Sequence, residues 1–403
     1  MNKTENWLNR EIELEIEKVA HGGIFVARHQ GRVVFVSHTA PGEKVRAKVF
    51  EDKGGSFCRA ETFEVLTPSP KRVTHIWKEA DRLGAGGAEF GHLALEHQRQ
   101  LKTDVLEESL SRMAGINKRV QVMPVPGDDL TKGLGYRTRI QLHVSDEGVA
   151  GPYQERTHNV VPVKTLPLAV AEINELGVHL KNWQDVKRIE ISTASTGGIQ
   201  WFIDKKMKGD KRLTERALGR SFRISTGGFW QVHRGAAELL ASEIVELSEG
   251  LEPDANNLDL YGGVGLFSGA LATKYGKKLN ITTVESSKVA TSDASANLVD
   301  LSKHKAVAAP VEGFLKLQIK QGLDLAGATV ILDPPRAGAG KTVVDQLAFL
   351  KPKKIIYVAC DPVSLARDLK TFSVSGYRIV DIRAFDLFPH THHFETLATL
   401  ELE

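Results

Sequence analysis

Cysteine is scarce in this chain of 403 residues, which contains only Cys58 and Cys360. Two cysteines cannot build a disulfide framework, so we expect a protein of a reducing compartment. Long hydrophobic runs are also missing, because no stretch approaches the roughly 20 apolar residues of a membrane-spanning helix. The polar N-terminus has no apolar signal core. We therefore expect a cytoplasmic protein with no membrane partner, and no obligate protein partner is evident.

A large excess of charge of either sign is lacking as well. The formal net charge is +3 and the pI is about 8.6, which permits a polyanionic partner without requiring one. Hydrophobic residues make up 41% of the chain and charged residues 26%, as in globular proteins that bury a core. The length predicts two or three domains.

The first segment, residues 1–68, has the periodicity of short strands. Charged and apolar side chains alternate over 11–17, and four further strand-like runs follow, separated by turns. Five such strands predict a small β-barrel of the OB type, which binds oligonucleotides in many proteins and contacts only protein in others. Cys58 lies here without a His or Cys at ligand spacing, so we interpret it as a half-buried barrel residue.

The middle segment, residues 69–225, is predicted to be mostly strand after one helix over 93–113, which ends at Gly115. Two stretches in it could contact phosphate. The glycine-rich stretch 84–88 lacks the Walker lysine and a preceding strand, so we interpret it as a flexible loop. The basic run 205–212 is either a solvated hairpin tip or a patch that contacts phosphate.

The last segment, residues 226–403, alternates strands and helices, which predicts a doubly wound parallel sheet with ligands at the carboxyl edge of its strands. A strand runs into a Gly-Gly-x-Gly turn at 262–265, and the next strand ends at Glu285, where a carboxylate can hold a ribose diol. This spacing disfavours a dinucleotide and is typical of an S-adenosylmethionine site. Further buried strands end at Asp333 and Cys360. Taken singly, such an aspartate can be an ordinary helix cap and such a cysteine an ordinary buried thiol.

Four motifs of this segment resemble those of the RNA uracil-5 methyltransferases that act on ribosomal and transfer RNA. They are Asp-Leu-Tyr-Gly-Gly-Val-Gly-Leu-Phe-Ser at 259–268, Asp-Pro-Pro-Arg-Ala-Gly at 333–338, Tyr-Val-Ala-Cys-Asp-Pro-Val-Ser-Leu-Ala-Arg-Asp at 357–368, and Phe-Pro-His-Thr-His-His-Phe-Glu at 388–395. Upstream stretches at 135–140, 151–158 and 228–233 are similar to the same family, and the first segment resembles its TRAM domain. The resemblance covers essentially the whole chain.

The resemblance implies a fold and a chemistry. A Rossmann-like methyltransferase domain follows an OB-like TRAM barrel and a central, mostly β domain whose helix packs with the catalytic domain. Cys360 adds to carbon 6 of uracil, so that carbon 5 can attack a methyl sulfonium, and Glu395 then removes the carbon 5 proton. The target uridine must leave its stack. The implied S-adenosylmethionine contacts are Gln231, Tyr261, Glu285 and Asp333.

Five positions depart from the family. Many members bind a [4Fe–4S] cluster through four cysteines, but three of those positions are Ala85, Ala88 and Leu166 here, so we predict no iron–sulfur cluster. Asp361 and His233 stand where asparagine is common. A carboxylate beside Cys360 disfavours the thiolate unless it points away.

The histidines at 390, 392 and 393 are expected to shape the loop that carries Glu395, and we predict no metal site there. The expected function is methyl transfer to carbon 5 of a specific uridine, in 23S ribosomal RNA rather than transfer RNA because of the TRAM-like barrel. Two alternatives stay open: a catalytically silent RNA-binding assembly factor, and a methylase of another acceptor such as an exocyclic amine, which would not need Cys360.

Overall fold

A computed structural model describes residues 5–403; residues 1–4 of the predicted first segment lie outside the described residues. The strands are β1 (Glu11–Val19), β2 (Phe25–His29), β3 (Arg32–Ser37), β4 (Lys44–Glu51), β5 (Phe57–Thr67), β6 (Val122–Pro124), β7 (Arg139–Val144), β8 (Ala150–Gly151), β9 (Arg188–Thr193), β10 (Ile199–Ile203), β11 (Lys206–Gly209), β12 (Arg212–Ala217), β13 (Arg220–Ser225), β14 (Asn257–Leu260), β15 (Ile281–Glu285), β16 (His304–Ala308), β17 (Thr329–Leu332), β18 (Lys354–Ala359), β19 (Tyr377–Asp386) and β20 (Glu395–Leu402). The helices are α1 (Lys78–Leu83), α2 (Leu95–Ser109), α3 (Asp128–Thr131), α4 (Ala171–Glu175), α5 (Ala236–Leu247), α6 (Leu266–Tyr275), α7 (Lys288–Asn297), α8 (Val311–Gln321), α9 (Gly340–Leu350) and α10 (Pro362–Val374). Among residues 5–403, no helix combines the length and the apolar character needed to span a bilayer.

The first five strands close into a barrel in the order β1-β2-β3-β5-β4. The alternation in β1 places Leu14 and Ile16 in the barrel core, while the charged residues between them face outward. Cys58 is 1% exposed in the same core. The predicted OB-like barrel is therefore confirmed.

The middle of the chain forms a five-stranded antiparallel sheet in the order β11-β10-β9-β7-β8, followed by a separate β12–β13 hairpin. The sequence patterns predicted β7, β9 and β10 but missed this hairpin. Within the basic run, Lys206–Gly209 pairs with β10, and Arg212 begins β12. The run thus takes part in two hairpins: Lys206, Lys208 and Arg212 lie on strands, whereas Lys205 and Lys211 lie in the connections.

The C-terminal sheet has eight strands in the order β16-β15-β14-β17-β18-β20-β19-β6. The first five of these are parallel, as predicted, but β20 runs antiparallel to both β18 and β19. The reason is the connection: only residues 387–394 join β19 to β20, which is too short for the crossover that parallel neighbours require. The sheet is therefore mixed, within the predicted Rossmann-like architecture.

Helix α2 precedes the central sheet in the chain but packs on the C-terminal sheet. Leu106 belongs to the same buried cluster as the strands of that sheet, and β6 adds to its edge beside β19. A buried ion pair joins Lys102 of α2 to Asp386 at the end of β19. Removal of either partner would destabilise the fold, because it would leave the other charge buried and unpaired. The helix continues as one π-helical turn, Leu110–Ala114, and ends at Gly115 with φ +71°.

Candidate active site

Three predicted cofactor residues lie side by side at one edge of the large sheet. Where β14 pairs with β15 and β17, the last paired residues are Leu260, Val284 and Leu332. The next residues in the chain are Tyr261, Glu285 and Asp333, in the sheet order Glu285, Tyr261, Asp333. The amide of Asp333 donates to the carbonyl of Leu260 at 3.2 Å, which fixes this alignment.

The two predicted catalytic residues continue the same row. Ala359 of β18 pairs with Thr396 of β20, so one step further along the antiparallel register Cys360 faces Glu395. The strand that ends at Glu285 is three interstrand spacings, about 14 Å, from the strand that ends at Cys360. The sheet edge therefore has room for a cofactor at the end that carries Glu285 and for a nucleobase at the end that carries Cys360 and Glu395.

Gln231 is not on this row. It lies in the connection between β13 and α5 and lines a separate cavity of about 240 Å³ together with Glu215 and Arg234. Glu215 is 3% exposed and leaves its Oε1 without a hydrogen-bond partner. The structure thus brings together five of the six predicted site residues.

The glycine turn after β14 fits a ribose-bearing ligand. The amide of Gly263 donates to the Glu285 carboxylate at 3.3 Å, and the amide of Ser287 donates to its other oxygen at 2.7 Å. A Cβ on Gly262 would lie 2.5 Å from Thr283 Cγ2, whereas the position beside Gly263 is open. The turn therefore packs tightly against the sheet and exposes backbone and a carboxylate on its outer side.

The sheet edge is rich in carboxyl groups and poor in cations. Burial raises the pKa of Asp259 to about 6 despite two hydrogen bonds from Ser268, and Oδ1 of Asp259 has no partner. Burial and the neighbouring Asp259 raise the pKa of Asp333 to about 7. A cationic ligand would favour the ionised forms of both groups, so the edge is electrostatically suited to a sulfonium.

Cys360 is protonated at neutral pH in this environment. Burial, followed by the carboxyl groups of Glu395 and Asp333, raises the pKa of its thiol to about 12, and Arg336 opposes them. Burial, followed by Asp333, also raises the pKa of Glu395 well above its usual value. Both residues therefore respond strongly to any positive charge placed beside them.

A cavity of about 130 Å³ opens onto Cys360. Its lining includes Arg336 and His393, whose side chains contact each other at 3.2 Å, and also His21 from the β1–β2 turn of the barrel. Sequence reasoning missed Arg336 and His21. Arg336 belongs to the motif at 333–338 and is the cation that such an acidic edge requires. In contrast, the sequence around His21 indicates only a turn.

The loop that carries Glu395 is fixed by its histidines. His390 Nε2 donates to the carbonyl of Lys132 at 2.9 Å, and its Nδ1 accepts from Gln98 at 3.1 Å. The His392 ring donates to the carboxylate of Glu89. Every one of these contacts joins the loop to segments far away in the chain, which agrees with the expected loop-shaping role.

No cluster of three or more metal-binding side chains occurs in the part of the chain that the structure describes.

The two positions where asparagine is common are occupied by residues with defined partners. Asp361 caps α10: its Oδ1 accepts the amides of Val363 and Ser364 at 3.1 and 2.8 Å. Its carboxylate is thus directed to the helix N-terminus rather than to the thiol. His233 contacts the Asp128 carboxylate at 3.1 Å and is buried.

The positions that carry cluster cysteines in related proteins are apolar and packed here. Ala85 and Ala88 are each 1% exposed, and Leu166 is 6% exposed in the same hydrophobic cluster. The segment is also held by a hydrogen bond from the amide of Gly86 to the carbonyl of Tyr153 at 3.0 Å. This stretch, expected as a flexible loop, is therefore part of the core of the central sheet.

Comparisons with known proteins agree with this architecture. The family model of tRNA (Uracil-5-)-methyltransferase matches residues 212–402, and the TRAM domain model matches residues 8–61. A Streptomyces avermitilis protein described as an uncharacterized RNA methyltransferase is 38% identical, over 98% of this chain and 99% of its own. A Bifidobacterium longum protein described in the same way is 35% identical, over 96% of each chain.

The fold is shared with a solved structure, that of Pyrococcus abyssi tRNA (uracil-54, C5)-methyltransferase in complex with S-adenosyl-L-homocysteine. The TM-score is 0.73 at 24% identity, over 96% of this chain and 99% of that chain. Together with the near full-length relatives, these matches confirm the resemblance seen in the motifs. The chain belongs to the family of S-adenosylmethionine-dependent RNA (uracil-5-)-methyltransferases that carry an N-terminal TRAM domain.

Proposed function

We propose that this protein methylates carbon 5 of a specific uridine in RNA through a covalent adduct between Cys360 and the uracil ring. The observation that carries the proposal is the register of β18 and β20, which sets the thiol of Cys360 opposite the carboxyl group of Glu395 at the ligand edge of the sheet. A silent assembly factor would need neither residue, and an exocyclic amine acceptor would not need the thiol.

The proposed reaction uses Cys360 first as nucleophile and later as leaving group. Its sulfur adds to carbon 6, and the electrons of the carbon 5–carbon 6 double bond move to the oxygen on carbon 4. S-adenosylmethionine supplies the electrophilic methyl group that carbon 5 takes. When carbon 5 loses its proton, the double bond forms again and the carbon–sulfur bond breaks, which restores the thiolate.

Glu395 is the proposed acceptor of the carbon 5 proton. Its raised pKa makes the carboxylate a stronger base than an exposed glutamate, provided that it is ionised when the adduct forms. Arg336 lowers the pKa of both Glu395 and Cys360 and lines the cavity that opens onto Cys360. We propose that Arg336 favours the ionised, reactive forms of these two groups.

We propose that Glu285 holds the ribose of S-adenosylmethionine and that Tyr261 and Asp333 lie along the rest of the cofactor. Glu285 is supported by its position on the glycine turn, and Asp333 by its place between the cofactor strands and Cys360. Gln231 remains a proposed contact from the motif alone, since it lines a different cavity.

The RNA would be held by the barrel (1–68) and the central domain (69–225), while residues 226–403 carry the chemistry. A groove between the β12–β13 hairpin and α7 supports this division. It encloses about 280 Å³ and is lined by Arg212, Arg223 and Lys288. Within residues 5–403 these three side chains form no ion pair or side-chain hydrogen bond, so their charges are available to phosphate groups.

Ribosomal RNA is our first candidate substrate and transfer RNA the second. The TRAM barrel led to the first choice, whereas the solved structure of the same fold is named for a tRNA enzyme. Sequencing RNA from cells with and without the gene would separate them: we expect one 5-methyluridine to disappear from 23S ribosomal RNA. Loss of a 5-methyluridine from transfer RNA alone would contradict the ribosomal assignment and leave the chemistry intact.

Replacement of Cys360 tests the mechanism, and the other cysteine provides a matched control. Cys360→Ala should abolish both methylation and the covalent adduct with 5-fluorouridine RNA, because no nucleophile remains for carbon 6. Cys58→Ala, in the barrel core, should retain both. Adduct formation and methyl transfer are measured by denaturing gels and by labelled methyl donor. Methylation by Cys360→Ala at the wild-type rate would contradict the proposed mechanism.

Glu395→Gln should behave differently from Cys360→Ala. The adduct should form with ordinary RNA and persist, because the amide cannot accept the carbon 5 proton, and turnover should fall roughly 10²–10⁴-fold. A denaturing gel of the protein with unmodified RNA shows whether the complex survives. If Glu395→Gln turns over normally, another base must act.

The groove cations should contribute to affinity through counterion release. Arg212→Gln combined with Arg223→Gln should weaken binding of all RNA sequences alike and reduce the slope of log affinity against log salt by about one for each lost contact. The comparable pair Lys316→Gln and Lys320→Gln on α8 should leave the slope unchanged. Equal slopes in both double variants would rule out the groove as a phosphate contact.

We further propose that the protein functions without an iron–sulfur cluster. After purification without oxygen and incubation with ferrous iron and sulfide, it should contain no stoichiometric iron and show no visible absorbance of a cluster, because alanine and leucine occupy the ligand positions. Methylation should be unchanged by this treatment. Stoichiometric iron bound together with sulfide would contradict the proposal.

A further inference from the structure

The β1–β2 turn of the barrel touches both catalytic segments of the distant C-terminal sheet. His21 Nε2 lies 2.7 Å from Oδ2 of Asp361, the residue that follows the nucleophile. Gly23 lies against His392, since a Cβ on Gly23 would be 2.7 Å from the Cβ of His392. The turn therefore bridges the loop after β18 and the loop that leads to Glu395.

The two carboxylate oxygens of Asp361 have separate tasks. Oδ1 accepts two amides at the start of α10, and Oδ2 accepts the proton of His21. An asparagine could cap the helix with its single oxygen and offer its amide nitrogen to a neutral imidazole, but it has no charge to pair with a protonated one. A charge-assisted contact with His21 thus requires the aspartate that this chain has in place of asparagine.

The pair also carries compensating charge. The hydrogen bond from Asp361 raises the pKa of His21. Burial opposes ionisation of Asp361, but the hydrogen bonds from His21 and Ser364 lower its pKa to about 2. Asp361 is therefore an anion adjacent to a thiol that must become a thiolate, and its hydrogen bond favours the protonated form of the imidazole on its outer side.

The other ionisable groups that line the cavity shared by Cys360 and His21 are Lys102, Arg336, His392 and His393. Each of these four groups has another partner: Lys102 contacts Asp386, Arg336 and His393 contact each other, and His392 contacts Glu89. Among these groups, only His21 contacts the carboxylate of Asp361.

We infer that His21 is a positioning residue for the reaction: it holds the Asp361 carboxylate on the helix cap and cancels its charge beside Cys360. The TRAM barrel then contributes to the catalytic site itself, in addition to any contact with RNA. This inference rests on the proposed role of Cys360 as nucleophile.

His21→Ala tests the inference, because it leaves the Asp361 anion beside the thiol without its imidazole partner. A like charge raises the pKa of a thiol, and each unit of rise lowers the thiolate fraction tenfold below that pKa. We expect adduct formation with 5-fluorouridine RNA to slow about tenfold at neutral pH and its pH profile to move to higher pH. RNA affinity should stay within about twofold of wild type, because His21 acts on the thiol.

Asp361→Asn provides the rescue. In the His21→Ala background it removes the negative charge while retaining one capping oxygen, so the double variant should recover most of the lost rate. Asp361→Asn alone should change the rate little. His21→Gln, which keeps a donor without the charge, should lie between wild type and His21→Ala. The matched control is His29→Ala at the end of β2, which contacts Trp7 and lies outside this cavity.

Three results would overturn the inference: an unchanged rate and pH profile in His21→Ala, a loss confined to RNA affinity, or no recovery in the double variant. Thermal unfolding of each variant shows whether it is folded, and His21→Gln provides the comparison if His21→Ala is not. The proposed function is tested separately by the wild-type protein. If wild-type protein forms no adduct, the nucleophile is wrong; if it does and His21→Ala matches it, only this inference fails.

Discussion

The direction of β20 is the constraint on which the site depends. Four parallel strands deliver their last residues to one edge of the sheet, which is how Glu285, Tyr261, Asp333 and Cys360 come to lie in a row. A base located at the first residue of a parallel strand would lie at the opposite edge. Because β20 runs antiparallel, its first residue, Glu395, arrives at the same edge as the others. The short connection from β19 thus places the proposed proton acceptor beside the proposed nucleophile.

The second determinant is the imbalance of charge at that edge. Buried carboxyl groups accumulate at Asp259, Asp333 and Glu395, and they make the thiolate of Cys360 unfavourable in the free protein. The same groups favour a bound cation. If the proposed cofactor contacts are right, reactivity and cofactor binding are linked physically, since a sulfonium near Asp333 would offset the charges that hold the thiol in its protonated form. Arg336 supplies part of this compensation from the cavity side.

Much of the C-terminal sheet could be predicted from sequence because its signals are local. The apolar run before Cys360 and the glycine turn before α6 each encode a strand end within a few residues. The missed features depend on contacts across the chain: His21 and Asp361 are 340 positions apart, and their pairing follows from how the barrel packs. The β12–β13 hairpin was missed because its alternation is interrupted by charge, and the cavity beside Gln231 depends on the placement of the central sheet.

The contact of His21 with Asp361 bears on how modular this architecture is. A TRAM barrel looks like a separable attachment, joined to the rest of the chain after β5. Yet its first turn contacts the residue that caps α10 beside the proposed nucleophile, so His21 and Asp361 form one unit split between segments. If the barrel were replaced by that of a relative, the pair would lose His21 and keep only Asp361. A chimera joined at the domain boundaries must therefore also combine a β1–β2 turn and a residue at position 361 that can pair with each other.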